Sequence, residues 1–188
     1  MTIVELLEAQ HRELDGWFDA INDAADIERA RTMFRDVSTK LLARMRAEHA
    51  VVYPRIAFAC KLRDEVSRAT QEHERIEAGI NALRLAAMDP EEWRVAVCVL
   101  QQRVADHAAA ERWSLFSLAE IVMSHEDLCR IADDYRALES AGSVLAATSI
   151  TYEPAPIERA QLRVVTPARA QSGPASASSR AAASTAAT

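Results

Sequence analysis

Six residues break the apolar seams of otherwise regular helical patterns in this chain: His11, Arg44, Glu48, His73, His107 and Glu111. Each is of a type that ligates a cation, carries a proton or forms an ion pair. Burying an unpaired polar group costs roughly 1 to 3 kcal/mol, and a charge costs more, so such residues must pair with one another or hold an ion. His107 and Glu111 are four residues apart on one helical face, the spacing that lets an imidazole nitrogen and a carboxylate oxygen reach one metal or two adjacent ones. A single HxxxE occurs by chance in many helices. The weight therefore rests on the whole set.

The elements that must position these residues are helices. Thr2 with Glu5 three residues on reads as a capping box, followed by Val4, Leu7, His11, Leu14, Phe18 and Ile21 at spacings of three and four. The pattern resumes after Asp26 with Ile27, Ala30, Phe34, Val37, Leu41, Arg44, Glu48 and Val51, and Pro54 is expected to kink or end that second helix. A third helix reads from about Arg63 to Met88, with Val66, Ala69, His73, Ile76, Ile80 and Leu83 inward. Asp89-Pro90-Glu91-Glu92 is a helix start, and its seam runs through Trp93, Val97, Leu100, Val104, His107, Glu111 and Leu118. Ser124 and Asp127 open a short fifth helix, to about Glu139, expected to lie across one end.

The fold expected is all-α: an up-down-up-down four-helix bundle with a short fifth helix, spanning residues 1–140. Residues 141–188 lose the periodicity and end in an Ala/Ser-rich stretch, for which a disordered low-complexity tail is expected. At about 1.5 Å per residue, Glu48, His73 and His107 fall at similar heights, within roughly a turn, and His11 and Arg44 match less well.

Scarce glycine, with four in 188 residues, agrees with long helices. A net charge of −6, with acids and bases interspersed, offers no basic face to nucleic acid. Cys60, Cys98 and Cys129 lack zinc-type spacing and are odd in number, which argues against a disulfide framework and for a reducing compartment. Glu5 and Glu8 among the first apolar residues do not read as a signal peptide, and no apolar run reaches spanning length, so a cytoplasmic protein without membrane contact is expected. No GxSxG elbow or Gly-rich phosphate loop nominates hydrolase or transferase chemistry. A ferritin-like centre needs ExxH on two helices, and only Glu8-Ala-Gln-His11 fits.

From the first helix to about residue 138 the chain resembles the hemerythrin-like (HHE cation-binding) family. Leu6-Leu-Glu-Ala-Gln-His11-Arg-Glu-Leu14 is similar to its opening histidine motif, and Arg44-Met-Arg-Ala-Glu48-His49-Ala-Val-Val-Tyr53-Pro54 to its HxxxE segment running into Tyr-Pro. Gln71-Glu-His73-Glu-Arg-Ile76 resembles the third-helix motif, and His107-Ala-Ala-Ala-Glu111-Arg-Trp-Ser-Leu-Phe116 the closing HxxxE before an aromatic. The resemblance implies an iron centre, with His11, His73 and His107 as terminal ligands and Glu48 and Glu111 as bridges. It implies a small ligand such as O2, NO or peroxide, for sensing, detoxification or iron handling.

The chain departs from that pattern twice. Arg44 stands where the first HxxxE should begin, and Thr70 stands where many members have a further histidine. A guanidinium stays protonated and has no lone pair for a metal. The alternative is a metal-free bundle acting as an interaction module, in which Arg44 neutralises Glu48, Glu111 or both. Two neighbours stay open: His49, about 100 degrees around the helix from Glu48, reads as an interface histidine in preference to one that swings toward the core, and Tyr53 as a packed ring ahead of Pro54 in preference to a phenolate ligand. Whether the iron site would be dinuclear or incomplete, or filled by manganese or zinc, is open at this level.

Overall fold

A computed structural model describes residues 1–85 and 88–148, and all elements among them are helical. Helix α1 spans Ile3–Asp23 and α2 Ile27–Ala47; α2 passes through a π-helical segment, Glu48–Val52, into α3, Tyr53–Cys60. Helix α4 spans Arg63–Leu85 and α5 Pro90–Glu111, and α5 passes through a second π-helical segment, Arg112–Phe116, into α6, Ser117–Val122. Helix α7 spans His125–Thr148. Neighbours around the bundle are α1 with α2, α2 with α4, α4 with α5 and α5 with α1, the closed square expected of short up-down connections.

The helix starts follow the capping chemistry. Thr2 Oγ1 accepts from the Glu5 amide at 3.2 Å, and Glu5 accepts from the Thr2 amide at 2.8 Å. Asp26 accepts from the Glu28 and Arg29 amides, and Asp89 Oδ1 from those of Glu91 and Glu92 at 2.9 and 3.2 Å. Ser124 Oγ accepts from the Asp127 amide at 3.1 Å. Lys61 ends α3 in the left-handed region at φ 59, the conformation that turns the chain sharply into α4. Asp89→Ala removes the acceptor for two otherwise orphaned amides and is expected to destabilise the domain by about 1 kcal/mol in urea unfolding.

Buried side chains form two apolar clusters. One gathers Leu7, Val52, Tyr53, Ile56, Leu115, Phe116 and residues of α7; the other gathers Leu14, Phe18, Phe34, Met45, Ile76, Trp93 and Val104. Each helix crosses from one cluster to the other at its polar residue: Leu7 to Leu14 through His11, Met45 to Val52 through Glu48, Ala69 to Ile76 through His73, and Val104 to Leu115 through His107 and Glu111. The polar groups form one layer between two apolar plugs.

Two expectations are corrected. The fifth helix is neither short nor laid across an end: α7 runs on to Thr148 and packs lengthwise against α1 and α2. Leu128, Ile131, Ala132 and Tyr135 make an apolar stripe long enough to cover a groove, and the Gln10 amide group donates to Glu139 at 3.0 Å. The seams also shift. Val52 is buried where Val51 was expected, and Leu115, Phe116 and Ala119 where Leu118 was, because each π segment advances the helical phase by a residue. Helix α4 is described as far as Leu85, and residues 86–87 of its expected end lie outside the described residues. The expected tail lies outside the described residues from 149 on. No helix among the described residues is long and apolar enough to cross a membrane.

Candidate metal centre

Glu48, His73, His107 and Glu111 each turn one ligand-type atom to a common point, with those atoms all within 4.8 Å of one another. All are at least nine-tenths buried. His73 Nε2 lies 3.2 Å from Glu48 Oε2, and His107 Nε2 lies 3.4 Å from Glu111 Oε2. The rings of His73 and His107 meet edge to face at 4.4 Å between centroids. His11 stands at the edge of this group, its Nε2 3.8 Å from Glu111 Oε2, with 19% of its side chain exposed. Of the five ligands expected from sequence, four converge and the fifth adjoins them.

Both glutamates sit where an α-helix gives way to a π-helical segment. In the i to i+5 pattern the Tyr53 amide donates to the Glu48 carbonyl, which places Tyr53 a turn beyond Glu48 on the same face. An uninterrupted α-helix would turn a residue five positions on well away from that face. The consequence is a contact that sequence reading missed: the Tyr53 hydroxyl donates to Glu111 Oε1 at 2.6 Å and lies 3.3 Å from His73 Nε2. Burial, then the Glu111 and Glu48 charges, holds the phenol well above its ordinary pKa, so Tyr53 acts as a neutral donor. The ring packs as expected, and its hydroxyl also orients a candidate ligand. Tyr53→Phe is expected to lower metal affinity about tenfold in competition titrations while leaving the helical spectrum unchanged.

His49 does not swing into the centre. It is half-buried and stacks on His73 at 4.9 Å, with its Nε2 2.9 Å from His73 Nδ1. With its proton on Nδ1, His73 donates outward to His49 and turns the Nε2 lone pair to the site, the outer-sphere arrangement typical of ligating histidines.

Arg44 is buried at 6% exposure, but it forms no ion pair with Glu48 or Glu111, and that pairing is corrected here. Its guanidinium donates to Glu13 Oε2 at 2.6 Å, Glu139 Oε1 at 3.3 Å and the Gln10 carbonyl at 3.1 Å, and lies over the Trp17 ring. Helix α7, through Glu139, supplies the acid that draws it outward.

Without a cation, burial favours the neutral forms of the groups at the centre. Burial lowers the pKa of His73 and, helped by the Arg44 charge, that of His11 to about 4. Burial and then the His73 and His11 charges lower that of His107 to about 3. Burial raises Glu48 to about 8 against the opposing pull of Arg44, and burial with Glu48 nearby raises Glu111 well above the usual carboxylate range. His107 Nε2 and Glu111 Oε2, 3.4 Å apart, are buried with no protein group in hydrogen-bond geometry. Such orphaned atoms are rare in folded proteins unless an ion or water completes them.

A family model for the hemerythrin HHE cation-binding domain matches residues 2–119. The chain belongs to that family. Comparison with curated proteins and with solved structures returned no match. As a hemerythrin HHE domain, the chain has a donor set that fits a cation: neutral imidazoles, two carboxylates, and unpartnered lone pairs on His107 and Glu111 at their meeting point.

Proposed function

We propose that this HHE domain is a non-haem iron protein, with Glu48, His73, His107 and Glu111 as its principal ligands and His11 completing the set. The observation that carries this reading is the pair of buried, unpartnered atoms His107 Nε2 and Glu111 Oε2 inside a four-donor cluster. When bound, the metal supplies an open coordination position and redox chemistry for O2, NO or peroxide. The protein supplies the rest. Tyr53 and His49 orient Glu111 and His73, the apolar clusters on either side limit bulk water, and neutral histidines present lone pairs without first losing a proton. A cytoplasmic setting and a small-molecule ligand, with neither nucleic acid nor membrane as partner, complete the reading.

The competing reading, a metal-free interaction module, depended on Arg44 neutralising the core carboxylates. With Arg44 committed to Glu13 and Glu139, that support is weaker. Elemental analysis and a near-ultraviolet and visible spectrum separate the two, on protein produced in iron-supplemented medium and purified without a histidine tag. The expected result is at least one iron per chain with ligand-to-metal charge-transfer bands. A well-folded helical protein that takes up no metal overturns the proposal in favour of the interaction module.

A further inference from the structure

Helix α7 lies beyond residues 2–119, the span that the HHE family model matches. Its stripe of Leu128, Ile131, Ala132 and Tyr135 docks it on the bundle, and one turn past Tyr135 it delivers Glu139. That carboxylate is held in place from α1. The Tyr135 hydroxyl donates to Gln10 Oε1 at 2.8 Å, and Gln10 Nε2 donates to both Glu139 oxygens at 3.1 and 3.0 Å. Glu139 then accepts from Arg44 Nε at 3.3 Å, while Glu13 accepts from Arg44 Nη2 at 2.6 Å.

Arg44 stands between two sets of acids. Its side chain also lines a cavity of about 10 Å³ shared with His11, Glu48, His73 and His107, and Glu48 lies one turn along the same helical face. A guanidinium stays protonated, and a buried one needs acceptors for its charge and its N–H groups. Glu13 and Glu139 supply them now. With those two acids neutralised, the buried carboxylate next along its own face is Glu48. A cavity at the lower limit for a single water does not hold a guanidinium and a cation together.

We propose that Glu13 and Glu139 are positioning residues for the centre: they hold the Arg44 guanidinium outward, and without them it turns toward Glu48 and competes with a cation for that carboxylate. The place of the arginine is a property of the metal-free chain; its effect on the cation rests on the metal reading above.

The test compares Glu13→Gln/Glu139→Gln with the same two changes in an Arg44→Met background. In metal-free protein, NMR on selectively labelled arginine reads where the guanidinium lies. The parent is expected to give nuclear Overhauser contacts from Arg44 to Trp17, whose ring centroid is 5.0 Å from Arg44 Cζ. In the double variant those contacts are expected to give way to contacts with His11 and His73. Chelator competition with zinc, a redox-silent cation for the same donor types, reads the consequence. Losing an outer-sphere partner typically costs about 10- to 100-fold in metal affinity, so the double variant is expected to bind zinc at least about tenfold more weakly than the parent. In the Arg44→Met background the same changes are expected to alter affinity less than about threefold, because the coupling runs through the arginine. Contacts to Trp17 that persist, or that vanish with none gained inside, overturn the proposal. An equal loss of affinity in both backgrounds also overturns it, since the acids then act on the cation by charge alone. A parent that takes up neither zinc nor iron defeats the metal reading, and the arginine contacts then decide the proposal by themselves. If the double variant does not fold, Glu139→Gln alone, which leaves Glu13 in place, carries the same two readouts.

Discussion

Glu111→Gln is expected to lower metal affinity by about a hundredfold or more while changing the stability of the metal-free domain little. The two effects part because burial and the nearby Glu48 already favour the neutral form of Glu111 in the metal-free protein, raising its pKa well above the usual range. An uncharged amide of the same shape keeps an oxygen that accepts from Tyr53, which donates at 2.6 Å. What the amide cannot do is become an anion when a cation arrives. Loss of outer-sphere partners alone typically costs ten to a hundredfold in metal affinity, so loss of a charged ligand sets the larger bound. Competition titration with a chromophoric chelator and urea unfolding of the stripped protein read the two quantities separately. If the variant binds metal as tightly as the parent, Glu111 is not a ligand. If the stripped variant unfolds several kcal/mol more easily, its role is structural.

The second large effect is at Arg44. Arg44→His is expected to raise metal affinity about tenfold and to destabilise the metal-free domain by about 2 kcal/mol. Residues 44 and 48 lie one turn apart on the same face, at the end of α2 and the start of the π segment that follows it, and Arg44 lines the small cavity that also touches His11, Glu48, His73 and His107. An imidazole there adds a lone pair on the side facing those groups, and it removes a fixed positive charge that depresses the pKa of His11 and pulls on Glu48. The stability loss follows from its present partners. Removing one member of a fully buried ion pair costs roughly 3 to 5 kcal/mol, but Glu13 is 51% exposed and Glu139 22%, so solvent screens part of the interaction and the figure is discounted. Lost packing over Trp17 adds to it. Stability loss with no gain in affinity means that position 44 has left the centre altogether, as a latch between α1, α2 and α7.

These outcomes bear on how a cation site survives loss of a ligand. In this chain the arginine is not held at the centre as a substitute cation. It is drawn outward by Glu13 and Glu139 and pairs with neither Glu48 nor Glu111.

The residues of the centre were legible in the sequence because helical periodicity is local. Four seams at spacings of three and four, the first and third interrupted once and the second and fourth twice by histidine, arginine or glutamate, require those side chains to face one core, and capping residues at Thr2, Asp26 and Asp89 set where three of the helices begin. The all-α class, the helix order and the four buried donors follow from that much. The phase shift at Glu48 and Glu111 was not legible. A π segment has no composition of its own, and only the structure shows that Val52, Tyr53, Leu115 and Phe116 are buried in and beside the two segments. The Tyr53–Glu111 bond depends on that shift and was missed with it. The direction of Arg44 was equally beyond a sequence argument, because its strongest partners come from residues 31 positions before it and 95 after it. Periodicity determines which residues face inward; which of them meet is decided by the way α7 and the two π segments close the bundle around them.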